Sequence, residues 1–579
     1  MTFALHGVGV SRGIAIGPAH IIQRDQIEIT EYPVDGEGVN LEIRRFQKAL
    51  TQARQQLRAV REHIPRQTPG DIAAFIDSHL LMLEDSALTV EPVRLIREMK
   101  VNAEWALKLQ RDALIAVFDE MEDAYLRTRK DDIDHVVNRL QRILLNHPPL
   151  RHELPDNRLA GYVVIADDLS PADTVMMQGE GIVAFATEHG GPTSHTAILA
   201  RSLGIPSVVG LHQARRYLRE DDLVIVDGNE GVLLVDPDEA TLEYYREQQR
   251  LEKRHRAQLR KLRGVETRTR DGTAIELMAN IELPEDFRQV LAVGADGVGL
   301  YRTEYLFMNR ESVPDEEEQY KAYVKALRVM KGLPITIRTV DLGADKPMPH
   351  SRNEGGQNPA LGLRGIRLCL REPGLFQPQL RALIRASASG PLRLMLPMLS
   401  TLQEVEQSLE LIRTIQQEFR EREIPFDPDM PIGGMIEVPA AALCADLFAE
   451  RLDFLSLGTN DLIQYTMAID RVNDQVNYLY DPLNPGILRL VHEVLKACEA
   501  CGKPVTMCGE MAADPRCIPL LLGMGLRSFS VHPGVLLEVR KVISEMDLKE
   551  MEGFIRKASR KGGGFPFHAL YERYRATLH

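Results

Sequence analysis

The sequence predicts an α/β protein: a C-terminal (β/α)8 barrel, preceded by an α/β domain into which a helical bundle is inserted. Three observations carry this. Eight strand-like segments recur in the second half of the chain, separated mostly by helical stretches: TAIELMANI, DGVGLYRT, PITIRTVD, LRLMLPM, IGGMIEV, FLSLGTND, PVTMCGE and SFSVHP. Most are Val/Ile/Leu/Met runs without clean alternation, as expected of parallel strands buried on both faces. Between Asp71 and Gly161 the chain has no glycine, and apolar residues there recur at helical spacing.

Taken in order, residues 1–32 alternate apolar and polar around glycines 7, 9, 13 and 17 and read as short strands and turns. From Leu41 onward, Phe46, Leu50, Ala53, Leu57, Val60 and Ile64 form one apolar stripe on a helix. Similar patterns run through FIDSHLLMLEDS, WALKLQRDALIAVFDEM and IDHVVNRLQRILL, a module of antiparallel helices. From Gly161 the β/α texture returns in GYVVIADDLS, GIVAFATEHGG, IPSVVG and LVIVDGNEGVLLVD. These complete the N-terminal strands, with the helices inserted between. Residues 237–263 are charged all round and read as an exposed connecting helix. Eight βα units in about 310 residues then fit a barrel, with a doubly wound sheet as the alternative because the spacing is uneven.

Composition narrows the function classes. The chain has 579 residues, enough for three or four folding units. Its net charge of −13 argues against nucleic acid as the main partner. The N-terminus has no signal-peptide pattern, and no apolar run is long enough for a membrane span, so a cytoplasmic location is expected. All six cysteines lie in the second half, unlike a secreted disulfide framework. Cys498 and Cys501 form a CxxC inside a helical pattern with no second pair, and read as structural.

The polar residues with chemical potential fall at predicted strand ends, where the loops of such barrels carry active sites. Arg302 follows the second strand, and Arg338 lies in the third with Asp341 after it. Glu437 closes the fifth, Asn460 and Asp461 the sixth with Arg471 beyond, Cys508 and Glu510 the seventh, and His532 follows the eighth. Two carboxylates on one face, Glu437 and Asp461, suit a hard cation such as Mg²⁺. Arginines facing the same mouth suit a multiply charged anion. Together they describe a pocket for a small phosphorylated acid. Taken singly, each residue reads as a loop ion pair or cap, and Cys508 as a core thiol.

A second centre lies in EHGGPTSHTAILARSLGIPSVVG. A strand runs into a Gly-Gly-Pro turn, and His195 follows near the start of a helix that closes at Gly204. Free N–H groups and the positive dipole end there favour a phosphoryl group on His195, and histidine is a competent nucleophile. His189 is a rival that precedes the turn. Thr174, in SPADT, is a candidate to orient the imidazole. A lone histidine here would otherwise read as a cap or turn residue.

At these residues the chain strongly resembles Enzyme I, the phosphoenolpyruvate–protein phosphotransferase of the bacterial phosphotransferase system. The stretches that carry the resemblance are GGPTSHTAILARSLGIP, GVGLYRTEYLFM, TIRTVDLGADKP, NPALGLRGIRL, GGMIEVPAA, LSLGTNDLIQYTMAIDR and MCGEMAADP, in the family's order. The resemblance implies that His195 is the phosphorylated histidine. It implies that Arg302, Arg338, Arg364, Asn460 and Arg471 bind phosphoenolpyruvate, that Glu437 and Asp461 hold Mg²⁺, and that Cys508 protonates the departing enolate. It implies a phosphohistidine domain from residues 1–33 and 147–236, an inserted carrier-binding bundle over 34–146, a linker helix over 237–263 acting as pivot, and a dimerising barrel over 264–579. His79, Leu81, Met82, Leu126 and Arg129 fall on positions similar to the surface that docks the histidine carrier protein HPr. One departure is Pro192, where sugar-branch members carry Arg; it looks more like the nitrogen-regulatory relatives. Pyruvate phosphate dikinases share these modules but need an ATP-binding domain, for which no Walker-type loop is present. A regulatory protein on a degenerate enzyme scaffold is the reading from another class, and the intact His195, Glu437, Asp461 and Cys508 speak against it.

Overall fold

The computed structural model describes residues 2–22, 29–63, 70–119, 124–145, 159–169, 177, 181–191, 196–197, 200–201, 204–307, 312–342, 359–470 and 476–559. The chain divides into two compact units, Met1–Arg256 and Ala257–His579.

The first unit is built on an eight-stranded sheet: β1 (Phe3–His6), β2 (Val8–Ser11), β3 (Ile14–Ile22), β4 (Val163–Ala166), β5 (Ala184–Thr187), β6 (Ser207–Val209), β7 (Leu223–Asp227) and β8 (Val232–Val235), in the order β1-β8-β7-β3-β4-β5-β6-β2. Strands β3 to β6 are mutually parallel, whereas β1, β8, β7 and β2 join as antiparallel pairs. Backbones crowd where β2 passes the turn between β7 and β8. A Cβ on Gly9 would lie 2.3 Å from the Gly228 carbonyl oxygen, so glycine alone fits.

Helices α1 (Gly36–His63), α2 (Gly70–Met82), α3 (Ser86–Thr89), α4 (Glu91–Met99), α5 (Ala103–Asp119) and α6 (Ala124–Leu144) lie in sequence between β3 and β4. The stripe Phe46, Leu50, Ala53, Leu57 and Val60 of α1 is buried against Ile76, Leu107, Val137 and Leu140 in a core of its own. Helix α7 (Glu239–Lys261) is mostly exposed, as its charge pattern predicts. Near its start, Leu242 packs beside Ile225 and Leu234 of the sheet.

The second unit is a closed barrel of eight parallel strands: β9 (Glu276–Ile281), β10 (Val298–Tyr301), β11 (Ile335–Arg338), β12 (Leu392–Leu396), β13 (Ile432–Ile436), β14 (Phe454–Leu457), β15 (Val505–Met507) and β16 (Ser528–Val531). Each predicted segment contains one of these strands. β9 pairs with both β10 and β16, which closes the sheet and excludes the doubly wound alternative. No described helix is long and apolar enough to cross a membrane.

The end of the barrel away from the strand C-termini is tied by one fully buried side chain. Arg540 donates to the carbonyls of Leu262 (2.7 Å), Val293 (3.2 Å) and Gly294, and to Thr267 Oγ1 (3.0 Å). Burial pulls its guanidinium below the ordinary range, and Asp296 opposes that. Replacing it strands several acceptors at once, each costing about 1–3 kcal/mol when left unpaired. Arg540→Met is therefore expected to lower barrel stability by about 3 kcal/mol or more in denaturant unfolding, against a near-neutral change for the exposed Arg489→Met.

Candidate active site

The C-terminal ends of the barrel strands gather the predicted residues. Arg338, the last residue of β11, is almost wholly buried. Its Nη2 donates to Glu304 Oε1 (2.8 Å), and its Nη1 lies 3.4 Å from Asp341 Oδ2. Asp341 in turn accepts from Arg364, Nη2 at 2.9 Å and Nε at 3.2 Å. Arg364 reaches on to Tyr465 OH (3.3 Å) and lies 3.8 Å from Asp461 Oδ2. A chain of alternating charge thus runs from Glu304 through Arg338, Asp341 and Arg364 to Asp461. Burial works against the charge on both arginines. Glu304, Asp341 and Glu437 around Arg338, and Asp341 and Asp461 around Arg364, more than offset it, so both stay charged.

Glu437 follows β13 and is 2% exposed. Its Oε1 accepts from the Met398 amide (2.6 Å), and Met398 holds a left-handed conformation (φ 56°) that turns this N–H inward. A non-glycine residue there carries about 1–2 kcal/mol of strain. Burial first, then the carboxylates of Asp461 and Asp341, push Glu437 up to about 8, with Arg338 opposing. These buried carboxylate oxygens repel one another, and a hard divalent cation fits such a donor set. Asn460 is fixed by Glu510: its Oδ1 accepts from the Glu510 amide (2.8 Å) and its Nδ2 donates to Glu510 Oε1 (3.1 Å).

Cys508 follows β15 with its sulfur buried. It accepts from Ser456 Oγ (3.3 Å) and lies 3.5 Å from the Leu457 carbonyl. Asn280 Nδ2 donates to the Cys508 carbonyl (2.8 Å). Burial pushes the thiol up, and the Ser456 hydrogen bond only partly opposes this. Arg302 sits at the rim, its side chain 40% exposed and paired with Glu282. Arg471 lies outside the described residues.

Glu304, Tyr465, Ser456 and Asn280 also frame this mouth and are not among the site residues expected from the sequence. Glu304 carried the same signal as Arg302, two residues earlier in YRTEYLF. Ser456 and Asn280 are lone polar residues inside apolar strands, which marks side chains turned into the barrel.

In the first unit, His195, Thr174 and Pro192 lie outside the described residues. The residues around that segment are placed. Asp167 and Asp168 follow β4, and Glu188 and His189 follow β5, at the carboxyl ends of adjacent parallel strands, where ligands of open α/β sheets bind. Arg215 joins Asp167 and Glu188, and its amide donates to Glu188 Oε1 (2.8 Å). Thr196 is buried and donates to the Leu169 carbonyl (2.7 Å). Of the predicted carrier-facing residues, Leu81 is exposed (67%) and Met82 half-buried. His79 is a correction: it is 3% exposed, turned into the bundle toward Asp132, and does not offer its ring at the surface. The side chains of Leu126 and Arg129 are outside the described set.

Comparison with known proteins matches three family models along the chain: the N-terminal domain of PEP-utilising enzymes over residues 6–129, their mobile domain over 159–231, and their PEP-binding domain over 256–548. A phosphoenolpyruvate-protein phosphotransferase of Cupriavidus necator is 46% identical over 564 residues, covering 96% of each chain. The chain belongs to the phosphoenolpyruvate-protein phosphotransferase (Enzyme I) family. Members from Staphylococcus carnosus and Bacillus subtilis are 40% and 39% identical, again over 96% of each chain. An NMR structure described as Enzyme I (nEIt) is 35% identical, covering 43% of this chain and 99% of that one, with a TM-score of 0.38.

For this phosphotransferase the buried thiol leads to a chemical expectation. A thiol raised by burial is neutral near pH 7 and slow to alkylate, because the thiolate is the nucleophile. Iodoacetamide should modify the exposed Cys444 first and leave Cys508 largely unmodified, as read by peptide mass spectrometry. Equal rates would show that Cys508 is open or ionised.

Proposed function

We propose that this phosphotransferase takes the phosphoryl group of phosphoenolpyruvate onto His195, releases pyruvate, and passes the group to a histidine of an HPr-type carrier. The observation that carries this reading is the charged barrel mouth: buried Arg338 and largely buried Arg364 converge there with the carboxylates of Glu437 and Asp461. Arg338 and Arg364, with Arg302 at the rim and Arg471, would grip the substrate's carboxylate and phosphate by paired N–H donors. Asn460, fixed by Glu510, would add a neutral donor.

Glu437 and Asp461 would hold a divalent cation, taken here as Mg²⁺, which when bound neutralises phosphate charge. Asp341 and Glu304 keep the arginines aimed. His195 attacks phosphorus in line; the P–O bond to the enol oxygen breaks, and its electron pair leaves on the enolate. Cys508 then gives its proton to the methylene carbon, making pyruvate. A neutral thiol in a buried site is the protonation state this step needs.

The second half-reaction moves the phosphoryl group from His195 to the carrier. Leu81, at the surface of the helical bundle, supports a docking contact there, with Met82, Leu126 and Arg129 as further candidates. The family resemblance also supports a cytoplasmic homodimer joined through the barrel, and exposed Leu443 and Tyr478 on that unit are apolar surface for such a contact. The boundaries set out above, with residues 1–33 and 147–236 as phosphohistidine domain, are part of this reading, as is service in a sugar-uptake or nitrogen-regulatory system; Pro192 favours the nitrogen branch.

The test is transfer of labelled phosphate from phosphoenolpyruvate, with Mg²⁺, to the chain and then to sugar-branch and nitrogen-branch carriers. An acid-labile label on His195 that passes preferentially to one carrier is expected; no labelling under any condition overturns the reading. His195→Ala should abolish labelling. Cys508→Ala should retain phosphoenolpyruvate binding while turnover falls about 10²–10⁴-fold, the usual worth of a positioned acid. An unchanged rate would remove the acid role.

A further inference from the structure

The helical bundle holds a histidine pair that the phosphotransfer chemistry does not use. His79 comes from α2, and Asp132 and His135 from α6, three residues apart and so on one face of that helix. One donor atom from each lies within 4.8 Å of the other two. His79 and Asp132 are buried, and the His135 side chain is 8% exposed.

Hydrogen bonding in the cluster is incomplete in a specific way. His135 Nε2 is 3.1 Å from Asp168 Oδ2, so this nitrogen carries the proton and donates it to the carboxylate. The other nitrogen, Nδ1, then presents a lone pair. It is buried and has no hydrogen-bond partner among the described residues. A buried acceptor without a donor is costly. A carboxylate behind one imidazole nitrogen, with the other left bare, is the arrangement that orients a metal-bound histidine. His79 Nε2 and Asp132 Oδ1 lie 3.4 Å apart. That is long for a hydrogen bond, yet close to the ~3.3 Å between donors around a tetrahedral ion with bonds near 2.0–2.1 Å.

We infer that His79, Asp132 and His135 form a binding site for a borderline divalent transition metal of the Zn²⁺ type, with Asp168 as the carboxylate that orients His135. Two imidazoles and one carboxylate are the donor set such an ion takes, leaving a fourth position for water. Mg²⁺ prefers all-oxygen coordination and does not suit it. The 4.8 Å spread means the donors draw together on loading. Arg139, one turn beyond His135, hydrogen-bonds Gln56 (3.4 Å); its positive charge nearby weakens the site relative to a purely structural one.

The consequence is mechanical. A bound ion ties α2 to α6, and through Asp168 ties both to the end of β4. Asp168 also contacts Thr196 Oγ1 (3.5 Å), the residue after His195. The site therefore connects the helical bundle to the segment of the phosphoacceptor histidine.

Co²⁺ titration of the full chain, stripped of metal, tests this. In an Asp461→Asn background, which weakens the barrel's cation site, one equivalent of Co²⁺ should bind with tetrahedral visible absorption, displaced by Zn²⁺. X-ray absorption should show two imidazole nitrogens. His135→Gln and His79→Ala should each lose that equivalent, and Zn²⁺ should raise the melting temperature only where both histidines are present. Absence of the tetrahedral, histidine-bearing signature in the unmodified chain overturns the proposal whether or not the variants fold. So does uptake that persists in both folded variants, or that is lost instead with Cys498→Ser.

Discussion

The barrel mouth depends on Asp341 standing between two arginines. A guanidinium removed from water costs several kcal/mol unless it is paired and hydrogen-bonded, and Arg338 and Arg364 are both largely removed from it. Asp341 touches both, Glu304 closes the far side of Arg338, and Asp461 lies near the far side of Arg364. No single pair explains the site, because each charge is held by neighbours of opposite sign. With Glu437 included, four carboxylates face two guanidiniums. That imbalance is relieved by a proton on Glu437 or by a divalent cation, and an incoming anion would in turn meet arginines that are already aimed. The excess of carboxylates over guanidiniums thus leaves room in the charge balance for a cation beside an anion, as the proposed function requires.

Most of this architecture was legible because burial on both faces leaves a strong mark on composition. The barrel strands read as unbroken apolar runs because both of their faces are buried, and helix α1 as one stripe because it buries a single face. Strand ends are legible for the same reason: polar residues where an apolar run stops mark the mouth, as with Arg338, Glu437 and Asp461. Less legible were polar residues inside the strands. Ser456 and Asn280 look like weak points in an apolar run until closure shows them facing Cys508 across the barrel interior. Glu304 was hidden by a different effect, its proximity to the more conspicuous Arg302. Sequence order also says nothing of which way a helical side chain turns. The family resemblance puts His79 on the docking surface beside Leu81, but two positions along a helix is about half a turn, and His79 lies on the buried side while Leu81 is exposed.

Histidines occupy different settings in this chain. In the sequence His195 follows a Gly-Gly-Pro-Thr-Ser run, and it is the proposed phosphoryl acceptor. His189, two residues beyond the end of β5, has its carbonyl taken by Thr187 Oγ1 (2.6 Å) and its amide by the Asp167 carbonyl (2.9 Å), which hold its backbone in the turn. His79 and His135 are buried within the helical bundle, beside Asp132 and Asp168. What satisfies the two nitrogens of the side chain differs among these positions. That is set by the element it sits on and by the carboxylates the fold brings beside it.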